Sequence, residues 1–214
     1  MMKRFCLITA LLAFSAAGNT ADKGKKMDPK ADAKMAAAGV MKVDTKASVV
    51  KWIGTKKIGS AHNGQVAVKE GQIELKDGKI LAGNIVVDMA TITNDDLKDS
   101  PDYQKKLVGH LSNEDFFNVT KFPTATFKIT GAEKKSDTDW LIKGEFTMIG
   151  KTNPVEVPAK LKVDGTSVVG EAKLKLDRTK WGLKYGSGNF FKELAGDKII
   201  NDEFELDMML TAKQ

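Results

Sequence analysis

"VEVPAKLKV", residues 155 to 163, leaves little choice of backbone. Val155, Val157, Ala159, Leu161 and Val163 fall on one side of a two-residue period, and Glu156, Pro158, Lys160 and Lys162 fall on the other. A helix would scatter these residues around its axis, whereas a strand gathers the apolar ones on one face and wets the other. The same signature recurs. Val168, Gly170, Ala172, Leu174 and Leu176 oppose Val169, Glu171, Lys173 and Lys175, and Phe204, Leu206, Met208 and Leu210 oppose Glu205, Asp207 and Met209. Trp140, Ile142, Gly144, Phe146 and Met148 alternate with Lys143, Glu145 and Thr147, while Ala125, Phe127 and Ile129 alternate with Thr126 and Lys128. Residues 48–57 and 79–92 read as two further strands, the second long and apolar.

One strand changes register. Between residues 65 and 75 the apolar parity moves from even positions, Val66 and Val68, to odd ones, Ile73 and Leu75, across Glu70-Gly71. An inserted residue of this kind is a bulge, and bulges bend sheets toward closure. Turn residues punctuate the strands at Asp77-Gly78, Ser136-Asp137, Thr152-Asn153-Pro154 and Asp164-Gly165. Two segments read as helical. Ser100 can cap a helix opening at Pro101, with Tyr103, Leu107, His110 and Leu111 along one face, and a shorter helix is expected over Phe190 to Ala195. At least eight short strands joined by tight turns indicate an all-β fold, an eight-stranded antiparallel barrel with one or two short helices over an end.

The 214 residues, 42% hydrophobic and 29% charged, suit one globular domain with an extension. Lys3 and Arg4 precede the apolar run Phe5 to Phe14, and Ser15-Ala16-Ala17 supplies small residues for a signal peptidase, so residues 1–17 read as an export signal cut after Ala17. The expected location is therefore periplasmic or secreted. Loss of Lys3 and Arg4 takes the formal net charge from +6 to +4 and removes the only cysteine, Cys6. A chain without cysteine forms no disulfide, thiolate nucleophile or thiolate metal site. Cys6 also sits ahead of the core of the apolar run instead of after it, which argues against a lipid anchor in this chain. Residues 18–39 are an Ala/Lys/Asp-biased stretch that buries too little to offset ordering entropy and reads as a tether, leaving residues 40–214 as the barrel domain.

The interior positions mix large side chains with Gly144, Ala159, Gly170 and Ala172, and they include Met89, Met148 and Met208. A barrel of eight strands is wide enough either to be filled by its own side chains or to hold one small ligand. Periodicity leaves both open.

Three stretches add a resemblance: "HLSNEDFFNVTKFPTATFKIT" (110–130), "GEFTMIGKTNPVEVPAKL" (144–161) and "DRTKWGLKYGSG" (177–188), with "SAHNGQVAVKEGQIEL" (60–75) before them. Together they resemble the YceI-like family over about Val43 to Ala212. The resemblance implies a lipocalin-like barrel that holds an isoprenoid, quinone-like or fatty-acid derivative. With that likeness, Phe116, Phe117 and Phe122 are expected to close an apolar mouth beneath a lid helix. The candidate ligand contacts are Trp52, His62, Met89, Phe116, Phe117, Phe127, Trp140, Phe146, Met148, Arg178 and Trp181.

Chemistry-bearing motifs are scarce. Asp95-Asp96 and Glu114-Asp115 read as loop carboxylates, and no G-x-S-x-G, H-E-x-x-H or phosphate-loop pattern occurs. Two histidines far apart in sequence, His62 and His110, make a poor metal site, and His110 suits the dipole at a helix end. Interleaved lysines and acids without an arginine cluster argue against nucleic acid. The expectation is an exported, non-catalytic carrier of a long apolar molecule, without cofactor or metal. Transient membrane contact and a homodimer are compatible with the sequence. The alternatives are a filled barrel serving as a protein-interaction module and an enzyme on a lipid-like substrate.

Overall fold

The computed structural model describes residues 39–214. The expected export signal and all but the last residue of the expected tether lie outside the described residues. Nine strands follow in order: β1 Gly39–Val43, β2 Val49–Lys56, β3 Ala61–Lys76, β4 Lys79–Asp88, β5 Thr124–Lys134, β6 Asp139–Met148, β7 Lys151–Val163, β8 Ser167–Asp177 and β9 Ile200–Lys213. One helix, α1 Pro101–Ser112, lies between β4 and β5. All pairings are antiparallel, and β3 pairs with β4 to close the sheet.

Nine strands fill eight places. β1 pairs with residues 72–75 of β3 and with the end of β9, while β2 pairs with residues 61–67 of β3 and with the earlier part of β9. They run in the same direction along the same neighbours, so they form one broken staff interrupted by the turn at 44–48. The break faces the bend in β3. There the register with β4 slips between Val68 and Glu70, Lys69 and Glu70 both face solvent, and the buried side changes from Val66 and Val68 to Ile73 and Leu75. The parity change read from the sequence is this bulge.

Short hairpins gather at one end. Asp77 and Gly78 both take positive φ, 52° and 71°, the geometry of a two-residue hairpin that glycine adopts without strain. At the turn after β7, the Asp164 carboxylate accepts the Thr166 N–H, its hydroxyl, and the N–H and hydroxyl of Ser167, which lowers its pKa to about 2. This end is packed by Met41, Ile73, Leu75, Ile80, Ile129, Trp140, Ile142, Leu161, Val168 and Ala212. Long connections occupy the opposite end: residues 89–123, which carry α1, and residues 178–199.

Toward that open end the wall splits. β7 and β8 pair only from Ala159–Ala172 to Val163–Val168. The earlier part of β7 has one partner, β6, and it is there that Pro154 and Pro158 sit, where a missing N–H costs no ladder bond. The short 3-10 turn Arg178–Trp181 covers the split, and Asn153 Nδ2 donates to the Lys180 carbonyl at 3.3 Å.

Four local expectations are corrected. The strand at 79–92 stops at Asp88, whose carboxylate accepts the Ala90 N–H and opens a 3-10 turn at Met89–Thr91. The hairpin between β6 and β7 turns at Ile149-Gly150, and Thr152-Asn153-Pro154 lie inside β7, with Thr147 and Thr152 hydroxyls 2.8 Å apart across the strands. Residues 190–195 form turns in place of a helix, followed by a 3-10 turn at Gly196–Lys198. Ser100 occupies the cap position of α1 without a side-chain hydrogen bond, and Tyr103 points to solvent while Gln104 takes the inward place, its Nε2 donating to the Asn94 carbonyl at 2.6 Å.

A strap over residues 92–97 fastens α1 to β3. Thr93 N–H donates to the Gln65 carbonyl and Asp95 N–H to the Asn63 carbonyl, each at 2.9 Å. Asn94, fully buried, donates to the Asn63 carbonyl, and the Asp96 carboxylate accepts the Asn63 N–H and His62 Nδ1, both at 2.8 Å. The Thr93 carbonyl passes directly over Gly64, where an added Cβ would overlap it and press on the Trp52 ring.

Gly64→Ala therefore lowers stability by about 2–4 kcal/mol, since backbone and indole both have to move; thermal or urea unfolding measures it. Burial opposes ionisation of Asp96, but the hydrogen bonds from Asn63, His62 and Asn94 outweigh it and hold the carboxyl below the usual 3.8. A depressed folded pKa contributes stability above the unfolded value, and that contribution disappears as pH falls through the folded value. Asp96→Asn is thus expected to destabilise the fold at neutral pH by about 1–2 kcal/mol, with the gap to wild type closing below about pH 3.8.

Candidate functional site

Inside the open half of the barrel lies a cavity of about 710 Å³. Its wall comes from the mouth-ward ends of the strands: Val50 and Trp52 of β2, Val66 of β3, Ile85 and Val87 of β4, Ala125 and Phe127 of β5, Phe146 and Met148 of β6, and Phe204, Leu206 and Met208 of β9. Each is an inward position of a period-two strand, so the alternation that builds the sheet also makes the lining apolar. Beyond Phe127 and Phe146 a second space of about 120 Å³ continues toward the closed end, sharing Val50, Ile85 and Met208 with the first. The interior is hollow in one half and largely filled by its own side chains in the other, where only the smaller space remains.

α1 roofs the hollow half with Leu107, His110 and Leu111. After the helix the chain turns at Asn118, which takes φ 43°, and Phe116 and Phe117 reach the lumen. His110 stands edge-on to Phe116 at 4.9 Å and to Tyr185 at 4.8 Å, with Phe116 and Tyr185 5.3 Å apart. This three-ring contact ties the roof to the loop before β9. His110 Nε2 also lies 3.4 Å from the Asp115 carboxylate.

The cavity reaches solvent between the β2–β3 turn and the loop 182–199. Lys56 and Ser60 from the β2–β3 turn, and Tyr185, Phe191 and Lys198 from the loop 182–199, line it while remaining exposed. The two lips are joined, since Lys57 N–H donates to the Ile199 carbonyl at 2.8 Å and Ile58 packs beside Gly196.

The candidate ligand contacts separate into three groups. Trp52, Met89, Phe116, Phe117, Phe127, Phe146 and Met148 line the cavity. The Trp52 indole N–H is buried and has no partner among the described residues, a cost of about 1–3 kcal/mol that the ring's apolar contacts offset. His62 and Arg178 also border the cavity: His62 is held through Nδ1 by Asp96, and the Arg178 guanidinium is committed to the carbonyls of Asn201, Leu183 and Ile200 at 3.0, 2.8 and 3.0 Å. Asp202 completes that set at 3.5 Å, and burial lowers the Arg178 pKa against the pull of Asp202. Arg178, only 4% exposed, anchors the start of β9 and is not a free anion partner.

Trp140 and Trp181 lie off the cavity. Trp140 shares an inward parity with Phe146 but sits six residues along β6, roughly 20 Å toward the packed end. Trp181 plugs the split between β7 and β8 from behind, stacked edge-on to Phe146 at 5.5 Å with its N–H donating to the Phe146 carbonyl at 3.0 Å. Phe122, expected at the mouth, packs under Gly150 at the β6–β7 turn instead.

Sequence reading missed the contributions of the irregular loop before β9: Leu183, Tyr185, Phe191 and Leu194. No periodicity marks them. The available signal was composition, three aromatics at 185, 190 and 191 in a glycine-rich loop that no strand pattern claims.

Comparison with known proteins agrees with this geometry. The YceI-like domain matches residues 41–212. Protein YceI of Shigella flexneri is 36% identical over 100 residues, 44% of this chain and 51% of that protein, and the Salmonella newport protein is 45% identical over 56 residues, 26% of this chain and 29% of that protein. The alignments thus span about half the length of these curated relatives or less. Among solved structures, Burkholderia cenocepacia BcnA superposes with a TM-score of 0.62 at 22% identity, covering 80% of this chain and 99% of that one. A polyisoprenoid-binding domain from Saccharophagus degradans gives 0.58 at 13% identity, covering 83% and 99%. At such identities the likeness is one of fold. Fold, cavity and domain match agree, and the chain belongs to the YceI-like family.

Proposed function

We propose that this protein is an exported, non-catalytic carrier that holds a long apolar molecule, of isoprenoid, quinone-like or fatty-acid type, in the hollow half of its barrel. The observation that carries the reading is the cavity of about 710 Å³ with an apolar wall and an exposed opening. Its size falls within the range of small-molecule sites. The polyisoprenoid-binding domain of similar fold supports the chain-like guest, and the N-terminal sequence supports export to the periplasm or beyond.

Desolvation suffices for holding such a guest. Each buried methylene contributes about 0.8 kcal/mol, so about twelve give on the order of 10 kcal/mol. Association and ordering costs remove roughly half, which leaves sub-millimolar binding without an ion pair. Of the polar groups nearest the guest, Arg178 spends its guanidinium on holding β9 and His62 spends Nδ1 on holding the strap, which favours holding over turnover.

Native mass spectrometry of protein purified from its source is expected to show a retained lipid that delipidation removes and added isoprenoid alcohol or fatty amide restores. Repeatedly empty spectra, with no uptake, would defeat the reading. Val50 borders both interior spaces, so Val50→Trp is expected to fill the lumen and weaken uptake by about ten-fold or more while the fold persists, because a hollow accepts the added volume that a packed core rejects. Fluorescent-lipid titration alongside thermal unfolding separates the two effects.

A further inference from the structure

We propose that the two lips of the portal dock on an anionic lipid surface, so that the cavity opens directly against a bilayer. The inference takes its lipid partner from the carrier reading. Ile58 at the tip of the β2–β3 turn is 62% exposed, and Tyr185, Phe190 and Phe191 on the facing loop are 43%, 48% and 40% exposed. Ile58, Phe190 and Phe191 project from loops that are hydrogen-bonded to one another and that bound the opening, and Tyr185 sits at the rim with its ring packed on His110 and Phe116.

Five lysines are interspersed among them, Lys56, Lys57, Lys184, Lys192 and Lys198, against Glu193 and Asp197 within the same two segments and against Asp202, Glu203 and Glu205 of β9 beside Lys57 and Lys192, Asp202 being held by Arg178 and Asn189. Lys184 Nζ stands 4.5 Å from the Phe190 ring centre. Protein interfaces are depleted of lysine at their apolar centres. Aromatic rings mixed with long cationic side chains are what the boundary of a bilayer selects, with rings at headgroup depth and ammonium groups against lipid phosphates. Each lysine near an anionic surface strengthens binding about five-fold, and screening by salt weakens it. The consequence for a carrier is direct. A guest moving between bilayer and lumen through seated lips need not cross water, where its exposed methylenes would raise the barrier.

Flotation of the full chain with phosphatidylcholine vesicles, with and without about one-third phosphatidylglycerol, tests the surface. Wild type is expected to float with the anionic vesicles about ten-fold more than with neutral ones, and less as salt rises. Ile58→Ser/Phe190→Ser and Lys57→Glu/Lys192→Glu are each expected to lose on the order of ten-fold, with circular dichroism unchanged. The lysine variant alters only exposed side chains, so it reads the surface even where the apolar variant misfolds. Residues 1–38 are common to all three proteins, so the differences report the lips. Failure of wild type to float, or flotation of the folded variants at wild-type levels, overturns the proposal. Farnesol uptake from solution, measured in parallel, distinguishes the two readings: lip-dependent flotation without uptake by any form removes the carrier and leaves the docking surface standing.

Discussion

Closure of the sheet depends on the bend in β3. A strand that served two neighbours on one side and a single long neighbour on the other could not stay flat, because β1 and β2 approach it in two separate pieces. The bulge at Lys69-Glu70 absorbs that mismatch by spending one residue outside the ladder, and the inward face changes parity across it. Hydrogen bonding on both edges of β3 then leaves the ring without a free edge there, which is the condition for an interior at all. Without the bend, either Val66 and Val68 or Ile73 and Leu75 would face water.

The interior divides because the two ends of the barrel are built differently. At the closed end two-residue and Asx-type turns bring neighbouring strands together, and large side chains such as Trp140, Met41 and Leu75 meet across a narrow lumen. At the other end most strands run out into two long connections and the β7–β8 seam opens, so that side chains as large as Trp52, Phe127, Phe146 and Phe204 line the wall around a hollow. No side chain of these strands is long enough to fill that width. The roof of α1, Phe116 and Phe117 covers the space from above while the Trp181 indole seals it from the side, which keeps a large apolar surface out of bulk water without filling it.

Much of this was legible because strand periodicity is a local property. Residues 155–163, 168–176 and 204–210 each carry their own inside and outside, and the bulge in β3 announced itself as a parity change within eleven residues. Seven of the candidate contacts reach the lumen free of other polar commitments for the same reason, being apolar residues at inward positions or on the aromatic approach to β5. Height along the barrel is a different kind of information. Trp140 and Phe146 share a face, and only the different widths of the lumen at the two ends of β6 separate a packing residue from a lining one. Arg178 shows a further limit: its partners are backbone carbonyls at 183, 200 and 201, and a carbonyl looks alike in every sequence.

The lining residues of the loop 182–199 were missed for a related reason, and that reason bears on how the site works. Helices and strands satisfy their backbone groups by periodic patterns, so their sequences are periodic; this segment satisfies them through isolated turns and through the Arg178 anchor at its base. Being free of a pattern, it is also free to place Tyr185 inward against His110 and Phe116 while leaving Phe190 in solvent only five residues later. A strand would have alternated them and a helix would have rotated them apart on a fixed pitch. One lip of the portal is therefore assembled from a stretch whose side-chain directions the ladder does not dictate, and it is held from below by a buried guanidinium that binds three carbonyls.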